Sequence, residues 1–181
     1  MKIKLFAIGL LAVLMVSIAG PSFAGRASAA APAAHVASAP SAQSHAFFDR
    51  TRFLVDMGIA FWCIHHVYKK YQTGYYASGE QGRVKHIIAA GVILFIAYDR
   101  LKAAYKRANE SNSKTLHVLA SPINALLGKT QSSATAFKSG NFSNTSINDL
   151  NSTSSQIGSR ANSNGYAIKD IQPPVGVPAG A

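Results

Sequence analysis

The chain has 181 residues, with 18 Lys and Arg against 7 Asp and Glu, a formal charge of +11 and one cysteine, Cys63. That length suits one domain, and a lone cysteine excludes an internal disulfide framework. So few acids leave little room for carboxylate catalysis, while the excess of base points to anionic partners such as acidic lipid, envelope polymer or nucleic acid.

Residues 1–24 carry the pattern of a secretory signal: Lys2 and Lys4, the apolar run LFAIGLLAVLMVSIAG, a break at Gly20 and Pro21, and small Ser22 and Ala24 before a cut ahead of Gly25. The run is shorter than the ~20 residues of a membrane span, and no cysteine follows it to carry a lipid. The mature chain is therefore expected to be exported, and either membrane-associated or secreted. Residues 25–45 are rich in Ala, Ser and Pro and lack large apolar side chains. Such a segment cannot bury enough surface to offset the entropy of ordering, and a disordered linker is expected.

The principal element is an antiparallel helical hairpin over 47–108, inside a helical domain of 46–128. In its first arm Phe53, Met57, Ala60, Ile64, Val67 and Tyr71 recur at steps of three and four and mark one apolar face. Beside it runs a polar seam of Arg52, Asp56, Cys63, His66 and Lys70, with Arg52 and Asp56 at ion-pair spacing. In the second arm Ile87, Gly91, Leu94, Tyr98, Leu101 and Tyr105 form the main stripe, yet Ile88, Val92, Ile93, Phe95 and Ile96 cover the other sides. Asp99, Arg100, Lys102, Lys106 and Arg107 are expected on the outside of its second half. A helix that is apolar all round must be covered all round, by protein or by lipid. One partner helix and one amphipathic segment cover about two faces, so self-association or membrane contact is expected for the rest.

The uncharged stretch Ile87–Tyr98 has twelve residues, which rise only ~18 Å against a hydrocarbon thickness of ~30 Å. Basic residues flank it at 69, 70, 83 and 85 and again over 100–114, which gives no clear orientation by the positive-inside rule. With Tyr68, Tyr71, Tyr75 and Tyr76 among the first group, the pattern resembles an interfacial belt. Interfacial insertion, a two-span hairpin and a soluble oligomeric bundle all stay open at this point.

A third helix is expected over 114–128, with Leu116, Leu119, Ile123, Leu126 and Leu127 on one side and a kink or restart at Pro122. Residues 129–181 shift to Ser, Asn, Thr and Gly. A weaker fourth helix over 146–160 is expected from Ile147, Leu150 and Ile157, then an extended tail through IKDIQPPVGVPAGA.

Few motifs carry chemistry. Cys63 and His66, three apart on a helix, with His86 across the turn, are the candidates for a metal or haem site. No second ligand pair stands at defined spacing, and no cofactor is inferred. Cys63 is also a candidate for an intermolecular disulfide in an exported oligomer. LLGKT at 126–130 ends like a phosphate loop, but the required first glycine falls on Ile123. Four sequons begin at Asn109, Asn141, Asn144 and Asn151, as a Ser/Asn-rich composition produces. No serine lies in a nucleophile-elbow pattern, and the histidines sit among apolar neighbours, so no enzyme is expected.

The expectation is thus an all-α protein, a hairpin with one or two further helices packed on it. It would serve as a structural or interaction component of the cell envelope. The partner surface is assigned to Trp62, Tyr68, Lys69, Lys70, Tyr71, Tyr75, Tyr76, Ile93 and Phe95, facing an anionic membrane surface or envelope polymer, with a homo-oligomer expected. Export disfavours nucleic acid, although HHVYKKYQTGYY interleaves bases with aromatics. No small-molecule substrate is inferred. Two rival expectations are a soluble secreted binding module and a small redox or haem protein.

Overall fold

The computed structural model describes residues 42–174; the expected signal and the linker up to residue 41 lie outside them. Four helices follow one another, α1 (Ala42–Gln72), α2 (Arg83–Glu110), α3 (Lys114–Lys138) and α4 (Asn144–Ser163), with no strand among the described residues. The all-α class expected from the periodicities is the one observed. α1 packs on α2 and α4, and α3 packs on α2 and α4, so the helices close into a ring. Short links make neighbours antiparallel. Across α1 and α4, for example, Arg50 reaches Gly165 while His65 reaches Ser154, so the two helices run in opposite directions.

Helix boundaries depart from expectation in three places. α1 begins at Ala42, inside the stretch read as linker, because nothing after Pro40 breaks a helix. α3 does not stop at 128 but runs through Pro122 to Lys138. The ring of Pro122 removes one backbone donor, which leaves the Val118 carbonyl without its helical partner. His117, Val118 and Ser121 are all exposed there, so water can serve that carbonyl. α4 spans 144–163, capped by Ser143, whose hydroxyl accepts from the Ser146 N–H at 3.2 Å.

The core comes from all four helices. Phe53, Met57, Ala60, Ile64 and Val67 are buried, as the periodicity of α1 predicts. They meet Leu116, Leu119, Ile123, Leu126 and Phe137 of α3, and Ile147, Leu150 and Ile157 of α4, in one cluster. The inner stripe of α2 matches the expected one at Ile87, Leu94 and Leu101 and departs from it elsewhere. Its buried line is Ala90, Ile93, Leu94, Ala97, Leu101, Ala104 and Ala108, while Gly91, Tyr98 and Tyr105 are only half-buried. Alanines let α2 sit close to both neighbours, while Ile88, Val92 and Phe95 are turned outward and Tyr98 and Tyr105 partly so.

The described part of the expected tail packs on the bundle, while residues 175–181 lie outside the described ones. Tyr166 is buried, edge-on to Phe53 with ring centroids 6.2 Å apart, and the Arg50 guanidinium lies 4.6 Å over its ring. The chain then crosses α1 at Gly58, where the Ile171 N–H donates to the Gly58 carbonyl at 3.0 Å. Gly58 is required here, because a Cβ would overlap the Lys169 carbonyl and approach the Ile171 side chain to 2.8 Å.

Candidate functional site

One end of the bundle gathers the turn between α1 and α2 and the turn between α3 and α4. Gly74, Gly79 and Gly82, with φ of 81°, 92° and 81°, let residues 73–82 reverse the chain in left-handed conformations. Around this end stand Lys69, Lys70, Arg83, Lys85 and Lys138, with Glu80 as the one acid in the turn. Lys69, Lys85 and Lys138 are exposed. Arg83 Nε donates to the Tyr76 carbonyl at 3.0 Å and fixes the start of α2.

The aromatic residues divide into two groups. Tyr76 is buried, edge-on to Phe137 and Phe142, which stack on each other at 4.4 Å. Its hydroxyl finds no hydrogen-bond partner, and burial pushes its pKa up from the ordinary tyrosine value. Tyr76 therefore holds the turn onto the core and presents no surface, a correction to its assignment as a partner contact. Tyr75 is half-buried, with the Lys70 ammonium 3.9 Å from its ring centre and the His86 ring 4.7 Å away. Trp62 stacks on His66 at 4.7 Å, and Tyr68 and Tyr71 lie half-buried along α1.

The outer face of α2 changes character along its length. Val84, Ile88, Val92 and Phe95 form an outward row, 67%, 57%, 46% and 59% exposed. The same line continues as Asp99, Lys102 and Lys106, all charged and exposed. The apolar half is the half beside the basic end. Phe95 thus belongs to a surface, whereas Ile93 is fully buried, which corrects its assignment as a partner contact. A shallow groove lined by Gly91, Phe95, Tyr98, Gln131, Ala134 and Thr135 runs beside this row between α2 and α3.

Of the polar seam of α1, Asp56 and Cys63 turn inward, His66 and Lys70 are half-buried, and Arg52 is exposed. Asp56 is buried and accepts from Arg100 at 3.3 Å and from Arg107 Nε at 3.1 Å, both from α2, in place of the expected pair with Arg52. Arg100 and Arg107, expected to point away from the hairpin, fold back because a buried carboxylate needs its charge answered. Cys63 is fully buried, and desolvation pushes its thiol up to about 12 against the opposing pull of Arg100. An intermolecular disulfide through Cys63 is therefore incompatible with this fold. His66 stacks on Trp62, and His86 Nδ1 lies 3.3 Å from the Tyr75 carbonyl. No group of three or more His, Cys, Asp or Glu stands together as a metal-holding set among the described residues.

Sequence spacing gave no hint of one further cluster. His65 Nδ1 lies 2.8 Å from Asp170 Oδ2, and its Nε2 lies 3.3 Å from Ser154 Oγ. The connectivity is that of a nucleophilic triad, but the requirements of one are unmet. Ser154 has no exposed surface, and its hydroxyl donates to the Asn151 carbonyl at 2.9 Å. It sits in mid-helix, where the backbone N–H groups of α4 are already used within the helix and cannot serve as oxyanion donors. The cluster ties α1, α4 and the carboxyl-terminal segment together.

None of the four helices is long and apolar enough to cross a membrane. No family model, curated protein or solved structure matches the chain.

Proposed function

We propose that this chain is an exported, non-catalytic component of the cell envelope that docks on an anionic membrane surface through the basic end of its helical bundle. The observation that carries this reading is the juxtaposition of the outward row Val84, Ile88, Val92 and Phe95 with Lys69, Lys70, Lys85 and Lys138. Half-exposed apolar side chains entering the headgroup boundary contribute ~1 kcal/mol each. Each lysine or arginine near an anionic leaflet adds ~1 kcal/mol, so a handful of each gives reversible binding without a span. A second copy of the chain fits the face less well. Four partly exposed side chains fall short of the ~800 Å² per partner of a stable dimer, and the surrounding end is strongly net basic, with five Lys and Arg against Glu80. The amino-terminal signal pattern supports export to the compartment where such a surface would be met.

Fractionation of cells making the protein tests this. Recovery with membranes at low salt and release by a high-salt wash are expected. Full recovery in the supernatant at low salt would contradict the reading, and a discrete dimer in that supernatant would assign the row to self-association.

A further inference from the structure

We propose that the basin beside the carboxyl end of α1 is a phosphate-binding site, through which the docking face engages individual phosphoryl groups; this rests on the surface-docking reading above. The basin has a volume of about 330 Å³ and is lined by His66, Lys69, Lys70, Thr73 and Tyr75. Two of its groups are held in place before any ligand arrives. Lys70 Nζ lies 3.9 Å over the Tyr75 ring, which itself packs on His86, and the His66 ring is stacked on Trp62. Preorganised donors lose less entropy on binding than freely rotating lysines. Lys69 is exposed at the rim and supplies a second full positive charge.

The negative end of the α1 dipole opposes an anion here, with roughly half an elementary charge against two ammonium groups. Its carbonyls are also already occupied. Lys69 O accepts from the Thr73 N–H and hydroxyl at 3.1 and 3.2 Å, and Lys70 O accepts from the Tyr75 N–H and the Thr73 hydroxyl at 3.2 and 3.0 Å. The balance of charge favours a phosphate. Phosphoryl groups of this kind are offered by anionic lipid headgroups and by soluble or polymeric phosphodiesters.

The test is an NMR titration of the full chain with inorganic phosphate, following the ring signals of His66, Tyr75 and Trp62, alongside binding to phosphatidylglycerol vesicles. Saturable shifts are expected, with affinity reduced about tenfold in Lys70→Gln, the scale of one charge-assisted hydrogen bond. Lys106→Gln, at the opposite end of α2, should leave the affinity unchanged. Shifts that never saturate, or an equal loss in Lys106→Gln, overturn the site. Vesicle binding with no phosphate shifts keeps the docking face and overturns the discrete site. Saturable phosphate binding without vesicle binding keeps the site, makes soluble phosphodiester its ligand, and removes the membrane reading.

Discussion

The backbone N–H of Ile171 donates to the carbonyl of Gly58 at 3.0 Å, fastening the carboxyl-terminal segment across the middle of α1. Gly58→Ala places a methyl group against the Lys169 carbonyl and the Ile171 side chain. The segment must then lift or α1 must shift, at ~1–3 kcal/mol. Amides of residues 168–171 should lose hydrogen-exchange protection while those of α3 keep theirs. Unchanged protection at Ile171 would show that the segment is not held at Gly58.

Asp56 joins α1 to α2 through Arg100 and Arg107. Asp56→Asn should cost ~1–3 kcal/mol in a denaturant titration, below the figure for a fully buried pair because both arginines are partly in water. Arg52→Ala should stay within ~0.5 kcal/mol, as an exposed substitution. The reverse order would restore the ion pair suggested by spacing alone.

Burial holds the Cys63 thiol up to about 12, so it stays neutral in the fold well above the pH at which the unfolded thiol ionises. The sign follows from linkage: the stability this group contributes is complete below the unfolded value near 9 and is lost as pH rises towards 12. Alkaline denaturation should therefore steepen above pH ~9 and be shallower in Cys63→Ala. Alkylation by iodoacetamide at neutral pH should be slow in the folded chain and fast in denaturant. Rapid labelling of the folded chain would place the thiol at the surface.

The Tyr76 hydroxyl is buried without a partner. Tyr76→Phe removes an unsatisfied polar group and keeps the ring against Phe137 and Phe142. Stability should be unchanged or raised by up to ~1 kcal/mol. A loss of more than that would reveal a bond through ordered water.

What the sequence made legible was whatever repeats at helical spacing in bulky residues. The α1 face from Phe53 to Val67 and the α4 line Ile147, Leu150, Ile157 could be read directly, since large apolar side chains announce a buried stripe. The α2 stripe was legible only at Ile87, Leu94 and Leu101, because Ala90, Ala97, Ala104 and Ala108 bury by smallness, and pattern reading weights bulk. Partners brought together by topology were equally hidden. Asp56 lies 51 residues from Arg107 and His65 lies 105 from Asp170, so no local spacing reports either pair. At the basic end, Lys69, Lys70, Tyr75 and Phe95 were legible as surface candidates. Tyr76 and Ile93 belonged to the same composition but turn inward, a difference that only the packing decides.

The docking face is tested most directly by co-sedimentation of the full chain with vesicles of phosphatidylglycerol and of phosphatidylcholine. Binding to the anionic vesicles at low salt, lost at high salt, is expected, with Ile88→Asp and Lys85→Gln each weakening it about fivefold, ~1 kcal/mol apiece. Equal binding to both lipids, or an Ile88→Asp variant that sediments like the unaltered chain, would contradict the account.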